Sequence, residues 1–366
     1  MSDETATREK SPSLLPPMSE HTGATQTDVS LRALLSRLMR GENLRRLEAE
    51  NFLDALLDDE ATDAQIGAAL AALAIKGETV EELAGIATAM RLRAVRLQCS
   101  HQRFIDTAGT GSSQAKTFNV STAAVFVVAG AGLPVAKHGA RAATSRTGSA
   151  DVLTALGVEV RVSPKVSERC LNEIGICFMF APIYHGATAR VAGIRCELGV
   201  HTTFNLLGPL TNPAGAPSQI IGVWQQSLVE PLARVLSALG TKNSWVVHGL
   251  DGLDEITLAD KTAVAEASNG GVKTFEIEPR DFGLRRASLE SVRGGDAENS
   301  ARIILEVLGG ERRDEARDLV VINAAAGLFV GGMAGDLNEA RRQAEKSIDE
   351  GAAYAKLDEL IRATNE

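Results

Sequence analysis

The rhythm of hydrophobic and polar positions changes twice along the chain. Up to about residue 27 it carries Ser, Thr, Glu and Pro with no apolar period, so 1–27 reads as a disordered tail. A helical spacing begins at Asp28. Leu31, Leu34, Leu35 and Leu38 share one face, with Gly41 placed to end that helix, and Leu53, Leu56 and Leu57 mark a second. Two capping boxes follow: Thr62 with Gln65 opens a helix that ends at Lys76-Gly77, and Thr79 with Glu82 opens the next. Residues 28–98 are thus expected to form a small all-helical domain. Short amphipathic helices bury little alone, so it should pack on something else, a second subunit being one candidate.

After Arg103 strand and helix patterns alternate. "QRFIDTAG" reads as a strand entering a loop, "STAAVFVVAGAG" as a buried helix, "LPVAKHG" as a strand, and "GSADVLTALG" as a helix closed by Gly157. "VEVRV", "CFMFAP", "SQIIGVW" and "SWVVHG" are further strand candidates. The alternation predicts an α/β domain over 99–366, with a central, mostly parallel sheet flanked by helices. Between Tyr184 and Pro217 the pattern turns helical again, which predicts a segment near 186–217 returning to the helical domain.

Composition narrows the class. Of 366 residues, 44% are hydrophobic and 23% charged, and mean hydropathy is near zero, as in a soluble globular protein. The net charge of −9 argues against general affinity for nucleic acid or an anionic membrane, but leaves room for a local basic pocket. Cys99, Cys170, Cys177 and Cys196 are scattered with no CxxC pair, which suggests thiols in a reducing compartment. No apolar run approaches the ~20 residues of a membrane span. The opening "MSDETATREKSPSLLPP" lacks the pattern of a secretory signal, so a cytoplasmic location is expected.

Candidate chemistry sits at the strand–helix junctions. Gly109 and Gly111 lie where a strand turns toward a helix, a place where backbone N–H groups and the helix N-terminus favour phosphate. Thr110, Thr117, Asn119, Ser121 and Thr122 add donors, and Ser121 or Thr122 is placed to cap the helix. Alone, this GxG is a weak signal, more often a tight turn than a phosphate site: neither P-loop nor GxGxxG is present. A second junction, "KHGARAATSRTGSAD", brings Lys137, Arg141 and Arg146 between glycines, with Ser149 at the next helix start. Two such loops at strand ends can clamp a ligand with phosphates at both ends. In "WVVHGLDGLDEITL", Asp254 and Glu255 follow a strand. Beside a phosphate site they suit magnesium, which takes one or two carboxylates plus ligand oxygens. His248 has no partner at metal-ligand spacing and reads as structural.

Four segments, "GTGSSQAKTFNVSTA", "KHGARAATSRTGSADVL", "HTTFNLLGPLTNPA" and "GLDEITL", occur in this order. In them, and in its helical opening, the chain resembles the anthranilate phosphoribosyltransferase family over residues 28–350. The resemblance implies transfer of phosphoribose from phosphoribosyl pyrophosphate to the amine of anthranilate, a step in tryptophan biosynthesis. It also implies magnesium as cofactor and a homodimer contacting through the helical domain. By position, Gly109, Thr110 and Gly111 would line the pyrophosphate. Thr117, Asn119, Ser121, Thr122, Lys137 and Ser149 would hold the rest of that substrate. Ser121, Asp254 and Glu255 would ligate magnesium, and Arg195 would meet the anthranilate carboxylate with His138 nearby. The chain departs from the family pattern at three places. Ser112, Ser113 and Gln114 replace Gly-Asp-Gly, Ala140 replaces an asparagine beside the acceptor, and Gly186 stands for a proline near its entrance. Another aromatic or heteroaromatic acceptor, a nucleic-acid-binding relative without the activity, and a nucleoside phosphorylase are the alternatives.

Overall fold

The computed structural model describes residues 30–111, 117–142 and 147–366. The expected tail, Ser112 to Gln114 and Arg146 lie outside the described residues. Four helices come first: α1 (Leu31–Met39), α2 (Arg46–Leu56), α3 (Asp63–Lys76) and α4 (Val80–Arg93). Both expected capping boxes form. Thr62 Oγ1 accepts from Gln65 N and Thr79 Oγ1 from Glu82 N, and each N3 side chain reaches back to its cap. Glu82 does more than cap, because its buried carboxylate also accepts from Leu44 N at 2.9 Å and pairs with Lys76 at 2.7 Å.

The sheet then assembles around β1 (Ile105–Gly109), α5 (Val120–Gly130), β2 (Val135–Gly139), α6 (Ser149–Ala155), α7 (Pro164–Glu173) and β3 (Ile176–Phe180). The chain leaves the sheet through α8 (Ala181–Tyr184), α9 (Ala189–Leu198) and α10 (Thr203–Leu210). It re-enters with β4 (Ser218–Gly222), α11 (Val229–Ala238) and β5 (Asn243–Gly249). A hairpin of β6 (Thr262–Ser268) and β7 (Gly271–Ile277) completes the sheet. Four helices follow: α12 (Ala297–Leu308), α13 (Glu315–Val330), α14 (Leu337–Asp349) and α15 (Ala352–Asn365). The order is β3-β2-β1-β4-β5-β6-β7, with parallel pairing from β3 to β5 and antiparallel pairing of β6 and β7.

Successive strand residues face opposite sides and so enter two cores. Ile220, Trp245, Val247 and Val264 join α5 and α12–α15, whereas Ile221, Val246 and Ala265 join α1–α4, α10 and α11. Val191, Ile194, Leu206, Leu207 and Leu210 belong to that second core, so the excursion after Tyr184 packs with the N-terminal helices. Each fully buried Leu contributes about 1.5–3 kcal/mol. Two arginines reinforce the junction: Arg91 Nε donates to the Leu210 carbonyl at 2.7 Å, and Arg46 reaches the Ala238 carbonyl. No helix among the described residues is long and apolar enough to cross a membrane.

Two local expectations need correction. "VEVRV" is not a strand. Val158 and Val160 are buried as their alternation implies, but Val158 N bonds the Leu153 carbonyl and Glu159 N bonds Thr364 Oγ1. Its backbone partners are helices, so half-burial arises without pairing. The residue at the N-cap of α5 is Asn119, not Ser121 or Thr122, and its side chain makes no capping bond there.

Candidate active site

Each loop of the site leaves the carboxyl end of a strand or enters a helix beside it. The thirteen residues singled out from the sequence all line one cavity of about 800 Å³ between the sheet ends, α4 and α8–α10. Gly109, Thr110 and Gly111 follow β1, and Thr110 N donates to the Gly222 carbonyl at 2.9 Å. Thr117 bridges Arg293 across the cavity wall, which brings Gly294 and Gly295 into the lining. Asn119 Oδ1 accepts from Thr147 Oγ1 at 3.0 Å and so ties the first loop to the lysine loop. Asp151 pins both ends of that second loop, accepting from Ala142 N, Gly148 N and Arg141. A Cβ at Gly139 would strike Ser149 Oγ and the Phe178 ring, so only glycine lets the strand end and the helix start meet there.

The carboxylates arrive from β5. A Cβ at Gly222 would run into the Asp254 carbonyl oxygen, and this close approach sets the Asp254 side chain beside Gly109. Glu255 is held by Ser121 N, which donates at 3.2 Å. From behind, α13 clamps the same segment. Asn323 Oδ1 accepts from Ile256 N at 3.0 Å, while its Nδ2 donates to the Ile256 and Leu319 carbonyls. Sequence reasoning missed Asn323, since an asparagine inside an apolar helix carries no motif.

Burial drives the electrostatics of this end. The Glu255 carboxyl is pushed up to about 8, first by burial and then by neighbouring Asp254, with Lys137 opposing. Burial lowers the Lys137 ammonium, against the pull of Asp106 and Glu255, and its Nζ donates to the Thr107 carbonyl at 2.7 Å. Two adjacent carboxylates beside a cavity are suited to a divalent cation. The described residues hold no cluster of three or more His, Cys, Asp or Glu for a metal, so ligand oxygens have to complete any such site.

The other end is built differently. His138 Nδ1 lies 3.1 Å from the Gly208 carbonyl, which can only accept, so Nδ1 carries the proton and Nε2 presents a lone pair. Burial first, then His185 with its ring centroid 5.1 Å away, pushes His138 down to about 3. Burial lowers His185 to about 4. Arg195 donates to Asn205 Oδ1 at 3.2 Å and lies 5.6 Å from the Phe204 ring centroid. Thr122 Oγ1, His138 Nε2, His185 Nε2 and Arg195 Nε are buried polar atoms of this lining without a hydrogen-bond partner among the described residues. Such atoms await a ligand or water. Ala140 lines the cavity, whereas Gly186 does not; its neighbours His185 and Thr188 do. His248 lies outside the lining, its Nδ1 bonded to the Val223 carbonyl at 2.7 Å, in line with a structural role.

Known proteins share this architecture of a helical domain and an α/β domain. The glycosyl transferase family a/b domain matches residues 101–354, and the family's helical bundle domain matches 32–94. Anthranilate phosphoribosyltransferase of Moorella thermoacetica is 49% identical over 331 residues, 90% of this chain and 97% of the relative. That of Anaeromyxobacter dehalogenans is 51% identical, covering 90% and 97%. Among solved structures, the Thermus thermophilus enzyme superposes with a TM-score of 0.85 at 38% identity, over 91% of this chain and 99% of that one. The Saccharomyces cerevisiae enzyme in complex with PRPP and Mg gives 0.84 at 27% identity, over 92% and 98%. The chain is a member of the anthranilate phosphoribosyltransferase family.

Proposed function

We propose that this chain transfers the phosphoribosyl group of phosphoribosyl pyrophosphate to the amine of anthranilate. The C1–oxygen bond to pyrophosphate breaks, the C1–nitrogen bond forms, and the proton that the amine gives up passes to solvent or the departing pyrophosphate. The observation that carries this reading is one cavity with a charged, donor-rich end and an opposite end offering a guanidinium and an unprotonated imidazole nitrogen. The N–H groups of Gly109 and Gly111, the hydroxyls of Thr117, Ser121, Thr122 and Ser149, Asn119 and Lys137 bind the diphosphate and ribose phosphate, while Thr110, whose N and Oγ1 both donate to the Gly222 carbonyl, shapes the loop. Ser121, Asp254 and Glu255 would hold magnesium, which supplies charge neutralisation for the leaving pyrophosphate. Arg195 grips the anthranilate carboxylate. His138 Nε2 accepts an amine hydrogen and so aims the nitrogen lone pair at C1. The sugar carbon passes through a loose, cationic transition state, and positioning with preset electrostatics is the main demand on the protein. No acid–base dyad is required.

A homodimer through the helical domain is part of the proposal. Met39, Leu47, Ile75 and Leu92 are large, exposed hydrophobics of α1–α4, and such a surface favours a partner. A cytoplasmic location fits the thiols, which are all free among the described residues. Ala140 in the lining favours a second reading, a different aromatic acceptor with the same donor. The test is incubation with phosphoribosyl pyrophosphate, magnesium and a panel of aromatic acids, following pyrophosphate release and anthranilate fluorescence. Turnover of anthranilate above the other acids is expected. Donor binding without anthranilate turnover would overturn the acceptor assignment, and no donor binding at all would overturn the reaction.

A further inference from the structure

The sheet opens at one place. Strand β1 pairs with β4 over five residues and β2 with β3 over five, yet β1 and β2 pair only at Ile105 and Val135. Beyond that pair the backbone groups that would form the ladder bond to side chains instead. His138 N donates to Asp106 Oδ1 at 3.2 Å, the Ala136 carbonyl accepts from Asn212 Nδ2 at 2.8 Å, and the Thr107 carbonyl accepts from Lys137 Nζ. Asn212 Nδ2 also donates to Asp106 Oδ2 at 2.7 Å. The orientation of its amide is set by its own loop, because Oδ1 accepts from Ala214 N at 2.9 Å. Asp106 and Asn212 are both buried, and neither lines the cavity.

The split matters because of what emerges from it. Lys137 and His138 are successive residues of β2, which a flat strand would send to opposite faces. Both line the cavity here, Lys137 at its charged end and His138 at its acceptor end. Asn212 follows α10 closely, and α10 also supplies the Gly208 carbonyl that fixes the His138 tautomer and the Asn205 oxygen that holds Arg195. A carboxylate in an otherwise dry strand costs desolvation, as the rise of Asp106 to about 6 through burial reflects, so its retention calls for a compensating role.

We propose that Asp106 and Asn212 are a positioning pair, a polar wedge that parts β1 from β2 and ties α10 to the lysine strand, so that Lys137 and His138 both reach the reacting groups. The proposal rests on the transferase reading for its kinetic consequences but not for its geometry. Replacing Asp106 by Asn leaves shape unchanged and sets an amide donor against either Asn212 Nδ2 or His138 N, which breaks one bond of the wedge. Asn212→Ala removes the donor to both Asp106 Oδ2 and the Ala136 carbonyl, and the double variant tests whether the two side chains act as one unit.

The test uses the full chain with 15N-labelled histidine, in parent, Asp106→Asn, Asn212→Ala and the double variant. Amide hydrogen exchange and ring nitrogen shifts of His138 are read alongside kcat/KM and the melting midpoint. The expected result for Asp106→Asn is faster exchange at His138 N, moved ring shifts and a loss of about 100-fold in kcat/KM, as misplacement of reacting groups brings. The double variant should lose no more than about threefold beyond the worse single one, through the coupling that contacting residues show. Unchanged His138 signals in Asp106→Asn, or single losses that multiply in the double variant, would overturn the wedge. Should Asp106→Asn not fold, Asn212→Ala carries the same readouts. The NMR signals do not require turnover, so a chain inactive on anthranilate would fail the functional reading and leave the wedge to stand or fall separately.

Discussion

The two ends of the cavity solve opposite problems. At the diphosphate end, charged groups are kept close together and buried: Lys137 is flanked by Asp106 and Glu255, and Glu255 adjoins Asp254. At the acceptor end the titratable rings are kept neutral, with His138 at about 3 and His185 at about 4. The first end suits a polyanion that brings its own counter-charge. The second suits a weakly basic aromatic amine, whose nitrogen must stay unprotonated. Burial acts at both ends, yet it yields different chemistry because, among the described residues, the first brings opposite charges together.

Breaking the charged end should have the largest effect. Lys137→Met removes a cation flanked by these acids, and calorimetric titration with phosphoribosyl pyrophosphate and magnesium should show affinity reduced about 100-fold or more. Arg195→Ala should leave that titration unchanged while raising the KM for anthranilate about 30-fold, the effect of one charge-assisted contact. An equal change in both constants would contradict the separation of the two ends.

His138→Ala should lower kcat about tenfold, the effect of losing one hydrogen bond that aims the amine. The pH–rate profile of the parent should show no histidine step between about pH 6 and 8, since a ring with a folded value of about 3 stays neutral there. Stability carries the complementary signature. The unfolded ring binds a proton near its ordinary 6.5 and the folded ring only near 3, so this contribution is complete above 6.5 and is lost as pH falls through that window. Melting midpoints of His138→Asn should therefore fall less steeply than the parent's on acidification.

The smallest effect expected is at Glu255. Its folded carboxyl, raised to about 8 from 4.5, contributes stability that is present below 4.5 and lost as pH rises toward 8. In metal-free protein, Glu255→Gln should melt a few degrees above the parent at pH 8 (about 2–4 °C for each kcal/mol in a chain somewhat smaller than this one) and close to it at pH 5. A constant offset across that range would remove burial of the charge as the cause.

Much of the fold was legible because its signals are local. The capping boxes at Thr62 and Thr79, the stripe of Leu31 to Leu38 and the terminator Gly157 depend on residues within one turn of each other. The hairpin of β6 and β7 was missed although Asn269 and Gly270, with φ of 52° and 78°, form the Asn-Gly pair that favours such a turn. "VEVRV" misled because alternation reports which side is buried, while strand formation depends on where the backbone finds partners.

In the site, the diphosphate end could be read as contiguous loops at strand ends, since glycine, hydroxyl and lysine spacing there is itself the chemistry. The acceptor end could not be read in this way from spacing. His138, His185, Arg195 and Phe204 come from four separate segments, and only packing sets their distances. By itself the sequence determined the helices, the parallel strands and the glycine-bearing loops at the strand ends, all written in short-range patterns of burial and hydrogen bonding. Only the tertiary structure decided that β1 and β2 part at Asp106, that Asn323 grips Ile256 from behind the carboxylates, and that His138 carries its ring proton on Nδ1. Each of these rests on a hydrogen bond between residues about 30 to 110 positions apart in the chain, which loop closure brings together only once both cores have formed.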